Sequence, residues 1–555
     1  MGCTASTTLE VFVTNCIIPY YEPPVNDTLD NLIGSELTQL YTYPDSLADT
    51  TANNNIFLIN EVQGDVLIEV ISNIGQYNTV YALLQTPNYG MTDIIDNGDT
   101  TLIITGMFPI ANLTKLDSLP ILINYVRPYY APINGNFAGT GLAMSQGDSA
   151  QASDQAKKAW KVSGQGVKVG VMSDSYNTKF GFPTPADRDV QNGDLPGSAN
   201  PNYTKNVIVS EEYPYGVGQD EGRAMMQIVH DVAPNAELMF RSGFISAGNF
   251  ADGIKALRDS GCKVIVDDIT YITEPFFRDG VIAQAVEEVS STGVSYFTSA
   301  GNFGIKSYEG NFTPMAPPAG YAGVAHNFGG NDYFQSLTLP KGTYTIALQW
   351  DDEFYSIGET LGAQNDLDIY LVDQFGTRLF GFNRDNMGGD PLEILPFIVK
   401  ATANANIIVT RKNGTGNVRF KYIIFRGEGV INEHIQNNST IIGQANAVSA
   451  MAVGAVLYTN TPAYGVNPPT IATFSSRGGL LIDGVDRLKP DFAAPNGVNT
   501  TVNFGGVNID NDAFPNFFGT SAAAPHAAGV AALLIEAKEK YYAGETFNGA
   551  QMKAL

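Results

Sequence analysis

Ser521 stands in the run FGTSAAAPHAAGVAALL, behind a Gly-Thr pair and at the head of a long stretch of small and apolar residues. A hydroxyl at a helix start is a candidate nucleophile. Gly519 allows a tight backbone turn, and the first N–H groups of a helix have no intrahelical acceptor, so they can stabilise a developing oxyanion. Ala522, Ala523, Ala524, Ala527, Ala528 and Gly529 let such a helix lie close to its neighbours, which also suits a purely structural buried helix. Two further groups carry charge where it is unusual. Asp267 and Asp268 end the apolar run of VIVDDITY, a position unfavourable to bury and therefore either a turn pair or part of a site. WDDEF and NDLDIYLVD place Asp351, Asp352, Asp366 and Asp368 as oxygen ligands for calcium or as solvated turn residues, without the spacing of an EF-hand.

These residues need elements to position them. From about Ala150 the apolar runs VKVGVM, NVIVS, AELMFR, VIVDD and VSYFTSAG alternate with the helical patterns EGRAMMQIVHDV, AGNFADGIKALRDSG and IAQAVEEVSSTG. That alternation predicts an α/β domain with a parallel sheet over 150–321 and again over 429–555. Between them, over 322–428, short strands such as YTIALQW, LDIYLVD, NIIVTR and RFKYIIF predict an inserted jelly-roll-like β-sandwich. Upstream, residues 61–133 read as βαββαβ, the ferredoxin-like plan, with a helix expected over IANLTKLDSLP. Residues 134–149 read as a linker, and 1–60 as an extension with little periodicity. The chain stops at GAQMKAL inside an expected helix, so a further C-terminal portion is anticipated.

Composition narrows the partners. The net charge is −25 over 555 residues, which repels nucleic acid and anionic membrane surfaces alike. No stretch reaches the roughly 20 apolar residues of a membrane span. Cys3, Cys16 and Cys262 are too few and too scattered for a disulfide framework or a zinc site. A secreted or cell-surface location is expected, with the export signal outside these residues.

Several segments, in order, resemble the subtilases, the subtilisin-like serine peptidases. GQGVKVGVMSDSYN is similar to the strand that ends in the family's catalytic aspartate, VHDVAPNAEL to the segment after its histidine-bearing helix, and VSYFTSAGNFG to the segment with the oxyanion asparagine, here Asn302 beside Gly301. QANAVSAMAVGAV, ATFSSRG, KPDFAAP and the Ser521 string follow. Two departures stand out. Where the family has its catalytic histidine, this chain reads DEGRAM, so Glu221 takes that place. A gapless alignment sets Ser173 at the aspartate position, with Asp174 one residue later and so on the opposite strand face unless the strand end turns. A glutamate for the histidine also resembles the sedolisins, the serine-carboxyl peptidases. Their partner aspartate, four residues on, is replaced here by Met225, and Asn302 is retained where they carry an aspartate.

The resemblance implies a secreted serine endopeptidase made as a zymogen, needing no cofactor for catalysis, acting on protein or peptide substrates and held by its own prodomain over 61–133. Ser521 would be the nucleophile, Glu221 the general base, Asp268 or Asp174 the partner of Glu221, and Asn302 the oxyanion donor. Asp267, Asp268 and Gly301 would line the substrate site. His230, His326, His434 and His526 are expected to be structural. The competing expectation is a pseudopeptidase that uses the sandwich for binding or adhesion.

Overall fold

A computed structural model describes residues 17–19, 32–42, 57–60, 64–99, 101–132, 143–179, 181–373, 375–382, 384–435, 439–482, 484–506, 508–542 and 544–555. Most of the expected linker, together with Cys3 and Cys16, lies outside them. The chain divides into two units, one formed by Pro132–Glu274, Arg278–Ile305 and Thr440–Leu555, the other by Met1–Ala131, Pro275–Phe277 and Lys306–Ser439.

The first unit is built on seven strands: β1 (Lys168–Ser173), β2 (Ile208–Glu211), β3 (Glu237–Ser242), β4 (Val264–Asp267), β5 (Ser295–Ser299), β6 (Met451–Leu457) and β7 (Phe492–Asn496). They form a parallel sheet in the order β7-β6-β5-β4-β1-β3-β2. The valines of β1 and β4 are fully buried because helices cover both faces of a parallel sheet. Connections run outward in opposite directions from β1 and β4, so the C-terminal ends of these two strands open a crevice at the point where strand order reverses. Met172 pairs in register with Asp267, which sets Ser173 and Asp268 side by side at that crevice.

Four helices matter here: α1 (Glu221–Val232), α2 (Ala247–Asp259), α3 (Val281–Ser291) and α4 (Thr520–Tyr541). The first three fall over EGRAMMQIVHDV, AGNFADGIKALRDSG and IAQAVEEVSSTG, and α4 begins within the Ser521 run. Gly222 is required by close approach, since a Cβ there would meet Phe240 at 2.3 Å and the Ser175 carbonyl at 2.9 Å. Without that glycine the start of α1, and Glu221 with it, would stand off from β3.

In the second unit, Asp65–Ser72 lies between Ile123–Pro128 and Ile103–Pro109, with Thr92–Ile95 beyond the latter. All pairs are antiparallel. The element expected over IANLTKLDSLP is a 3₁₀ segment, Ile110–Ser118, which turns Leu113 and Leu116 inward at its three-residue period. Beyond it, the strands of the expected sandwich begin at Ser307 and continue to Ile431. The polar strand Ser307–Asn311 belongs to it, paired with Arg419–Arg426. Within residues 1–60, the described Ile17–Pro19 adds an edge strand to Leu392–Val399. Arg127, buried, bonds Glu69 at 2.7 Å and reaches Asp390 at 3.4 Å, while the Tyr125 hydroxyl also donates to Asp390. These charge-assisted bonds tie the N-terminal sheet and the sandwich into one body.

Candidate active site

Ser521 is the second residue of α4, and the turn before it is set by Gly519 at φ 103°, a conformation that side chains with a Cβ rarely adopt. Asn302 braces that turn. Its Oδ1 accepts the Thr520 N–H at 2.9 Å and the Thr520 hydroxyl at 3.0 Å, and that hydroxyl accepts the Gly301 N–H at 3.1 Å. An N–H can only donate, so Oδ1 must face Thr520, and Nδ2 is left on the far side of the amide. Asn302 Nδ2 lies 3.1 Å from where a Cβ on Gly519 would be. A side-chain N–H donor is therefore held at the nucleophile turn. Gly301 serves here through its backbone N–H.

Glu221 opens α1 and is fully buried. Its carboxyl faces Asp268, Asp174 and the Ser521 hydroxyl. Burial first, then the charges of Asp268 and Asp174, push its pKa well above the ordinary glutamate value, while Ser521 pulls the other way. Asp268 is likewise raised, chiefly by burial, and is opposed by the Ser173 hydroxyl and by Glu221. Two facing carboxylates cannot both ionise at low cost, so the charge of Asp268 disfavours ionisation of Glu221. The carboxyl oxygens of both, and the hydroxyls of Ser521 and Ser173, complete no hydrogen bond of ordinary geometry. Catalytic hydrogen bonds are often long before substrate closes them.

Asp174 has a different position from its neighbour. The strand end turns, and its carboxylate accepts N–H groups of Ser175 at 2.5 Å, Gln219 at 2.6 Å and Glu221 at 2.8 Å. Burial pushes it up to about 6 against these three donors. Asp174 thus fixes the backbone of Glu221, and the side chain facing the Glu221 carboxyl from β4 is Asp268. Asp267 departs from the substrate-lining expectation. It is wholly buried, points to the opposite side of β4, and accepts the Ile269 N–H at 3.1 Å, the Thr298 hydroxyl at 3.1 Å and the Gln444 amide at 2.9 Å.

Two contributors were not foreseen. Ser173 is buried against Asp268, and its only sequence signal was the gapless alignment that set it at an aspartate position. Asp220, left-handed at φ 60° and buried, binds the Thr178 N–H at 2.9 Å and Arg223 at 2.9 Å, locking the residue before Glu221. A positive φ at an aspartate leaves no pattern in sequence.

The imidazoles lie elsewhere. His526 is bonded to the Ala522 carbonyl and the Ser145 hydroxyl, both at 2.7 Å, and burial lowers its pKa to about 4. His230 lies edge-on to the Tyr203 ring at 5.0 Å. His326 bonds Tyr308 at 2.9 Å, and His434 lies 3.7 Å from Asp332, both in the second unit.

Residues 398–555 match the model of the Subtilase family. No curated protein matches the chain. Among solved structures it is similar to the CspB protease of Clostridium perfringens, with 15% identity over 73% of this chain and 90% of that one and a TM-score of 0.49. It is also similar to the epidermin leader peptide processing serine protease EpiP of Staphylococcus aureus (10% identity, 86% and 91% covered, TM-score 0.42). A third is the prenylagaramide maturation protease PagA (12% identity, 72% and 86% covered, TM-score 0.33).

Proposed function

We propose that this chain is a secreted serine endopeptidase, made as a zymogen, in which a glutamate replaces the imidazole as general base. The observation that carries the reading is the meeting of Ser521, Glu221 and Asp268 at one buried point, with no imidazole among the groups that act on either carboxyl.

Ser521 Oγ attacks the scissile carbonyl as its proton passes to the Glu221 carboxylate. The oxyanion of the tetrahedral intermediate takes hydrogen bonds from Asn302 Nδ2 and the Ser521 N–H, each worth roughly 3 to 4 kcal/mol at such a site. Glu221 then returns the proton to the leaving amine. A water, deprotonated in turn by Glu221, releases the acyl group and restores the serine. Asp268 holds the glutamate's orientation, and its charge raises the pH at which Glu221 becomes a base. This differs from the sedolisin arrangement in drawing the partner aspartate from a strand end; the helix position used there is Met225, buried and apolar here.

The βαββαβ segment is proposed as the inhibitory prodomain, and cleavage is expected between about Tyr130 and Gln151. Fluorophosphonate labelling across a pH series tests the assignment. Wild type should label and clip itself, and Ser521→Ala should do neither. A chain that labels at no pH and stays whole would be a pseudopeptidase with a binding role.

A further inference from the structure

A second group of acids, in the sandwich, has no part in that chemistry. Asp366 and Asp368 are two residues apart on the strand Asp366–Val372 and so share one face, and both are buried, at 0% and 2% exposed. Asp366 Oδ1 accepts the Asn386 N–H at 3.2 Å, which brings the turn carrying Asp385 and Asn386 against it. Asp368 Oδ2 accepts the hydroxyls of Tyr370 at 3.0 Å and Thr410 at 3.3 Å. The remaining oxygens, Asp366 Oδ2, Asp368 Oδ1, Asp385 Oδ2 and Asn386 Oδ1, are buried and have no hydrogen-bond donor. Glu393, 2% exposed, adds a fifth such oxygen from a neighbouring strand and lines a cavity of about 130 Å³ with Asp385 and Asn386.

Buried acceptors without donors are costly, and buried like charges more so. Lys412 lies 4.0 Å from Asp366 Oδ2, and the charges of Arg378 and Arg384 also act on Asp368 and Glu393. Even so, three cations face four carboxylates, and none of the three bonds the five open oxygens. What these oxygens lack is a direct partner, and a cation that coordinates only oxygen supplies it. Carboxylate and amide oxygens with no nitrogen or sulfur select a hard divalent ion, and a site already screened from water favours calcium over magnesium, which gives up its hydration reluctantly.

We propose that Asp366, Asp368, Asp385 and Asn386 Oδ1, with Glu393 beside them, bind a calcium ion in the sandwich. Asp351 and Asp352 drop out of the ligand set expected from sequence. Asp351 pairs with Arg419 at 3.1 Å, and Asp352 caps the backbone of Gln364 and Asn365 at 3.0 and 2.7 Å. The carboxylates of the site must close on the ion by side-chain rotation. Among the described residues, Asp332, Glu433 and His434 already bring ligand atoms within 4.8 Å of one another. Those three are half-exposed, however, and Asp332 and Glu433 already accept the N–H groups of Phe334 and Ser336. That group is the control.

The test uses the full chain with Ser521→Ala to prevent self-cleavage, stripped with EDTA and titrated with calcium, magnesium or terbium. Expected are a calcium-dependent rise in Tm that magnesium does not reproduce and terbium emission sensitised through Tyr370. Asp366→Asn/Asp368→Asn should weaken calcium binding by at least about 10-fold. In EDTA the same variant should melt above its parent, because like charge has been removed, and this separates a lost site from a failed fold. The proposal is overturned by a parent whose Tm ignores calcium, by a calcium response that survives in Asp366→Asn/Asp368→Asn, by its loss in Asp332→Asn instead, or by a double variant that melts below the parent in EDTA.

Discussion

Glu221, Asp268 and Asp174 lie at the C-terminal ends of two parallel strands and at the first turn of a helix. Asp366, Asp368 and Asp385 lie among antiparallel strands of a sandwich. In each group burial and neighbouring carboxylates raise the pKa of one member, Glu221 in the first and Asp366 in the second. Their surroundings differ in what they offer. The first faces a serine hydroxyl and backbone N–H groups, partners that exchange or stabilise a proton. The second faces hydroxyls that are already donating and further acceptor oxygens. Burial alone therefore does not distinguish the two groups; the partners at the ends of the side chains do.

The largest separation between the two groups should come from Glu221→Gln. It removes the base while keeping shape, and kcat/KM for a peptide substrate is expected to fall by about 10³-fold or more. Asp366→Asn should leave kcat unchanged in folded protein, since it touches no reacting atom. Asn302→Ala comes next: loss of one oxyanion donor predicts a fall in kcat of about 10²- to 10³-fold with little change in KM. Asp268→Asn should cost less, about 10-fold in kcat. It should also move the acid limb of the pH–rate profile to lower pH, because the charge of Asp268 is one of the causes that raise Glu221. An acid limb that stays in place would break the coupling argued here.

The smallest effect is on stability. Asp174 and Asp231 are pushed by burial up to about 6 and about 7, above the ordinary aspartate value. A group whose folded pKa is raised favours the fold at pH below its unfolded value, and that contribution is lost as pH rises through the folded value. In EDTA, Tm should therefore fall by several degrees between pH 5 and pH 8. Asp231→Asn should flatten that slope, which differential scanning calorimetry can read.

Much of this was legible in sequence, for reasons that can be traced. The parallel sheet was readable because strands buried on both faces are written as continuous apolar runs, as in VKVGVM. The place of Ser521 at a helix start was readable from a Gly-Thr turn before small residues, and that of Glu221 at the start of α1 from the order of segments around it. That Asp268, and not Asp174, faces it was left open, because the choice depends on how β1 ends; the turn after Ser173 sends Asp174 to the amides of Gln219 and Glu221. Ile17–Pro19 was invisible because a three-residue edge strand has no period to detect. In the sandwich, NDLDIYLVD shows Asp366 and Asp368 two residues apart on one strand, but Asp385 and Glu393 come to them through turns and strand pairing that no local pattern records.

The central claim is that a carboxylate, not an imidazole, activates Ser521. The direct measurement is the rate of fluorophosphonate labelling of Ser521 against pH for wild type, Glu221→Gln and His526→Gln. The account predicts an acid limb above the ordinary carboxylate range in wild type and His526→Gln alike, and a low, flat profile in Glu221→Gln. Labelling of Glu221→Gln at the wild-type rate, or loss of labelling in a folded His526→Gln, would contradict it.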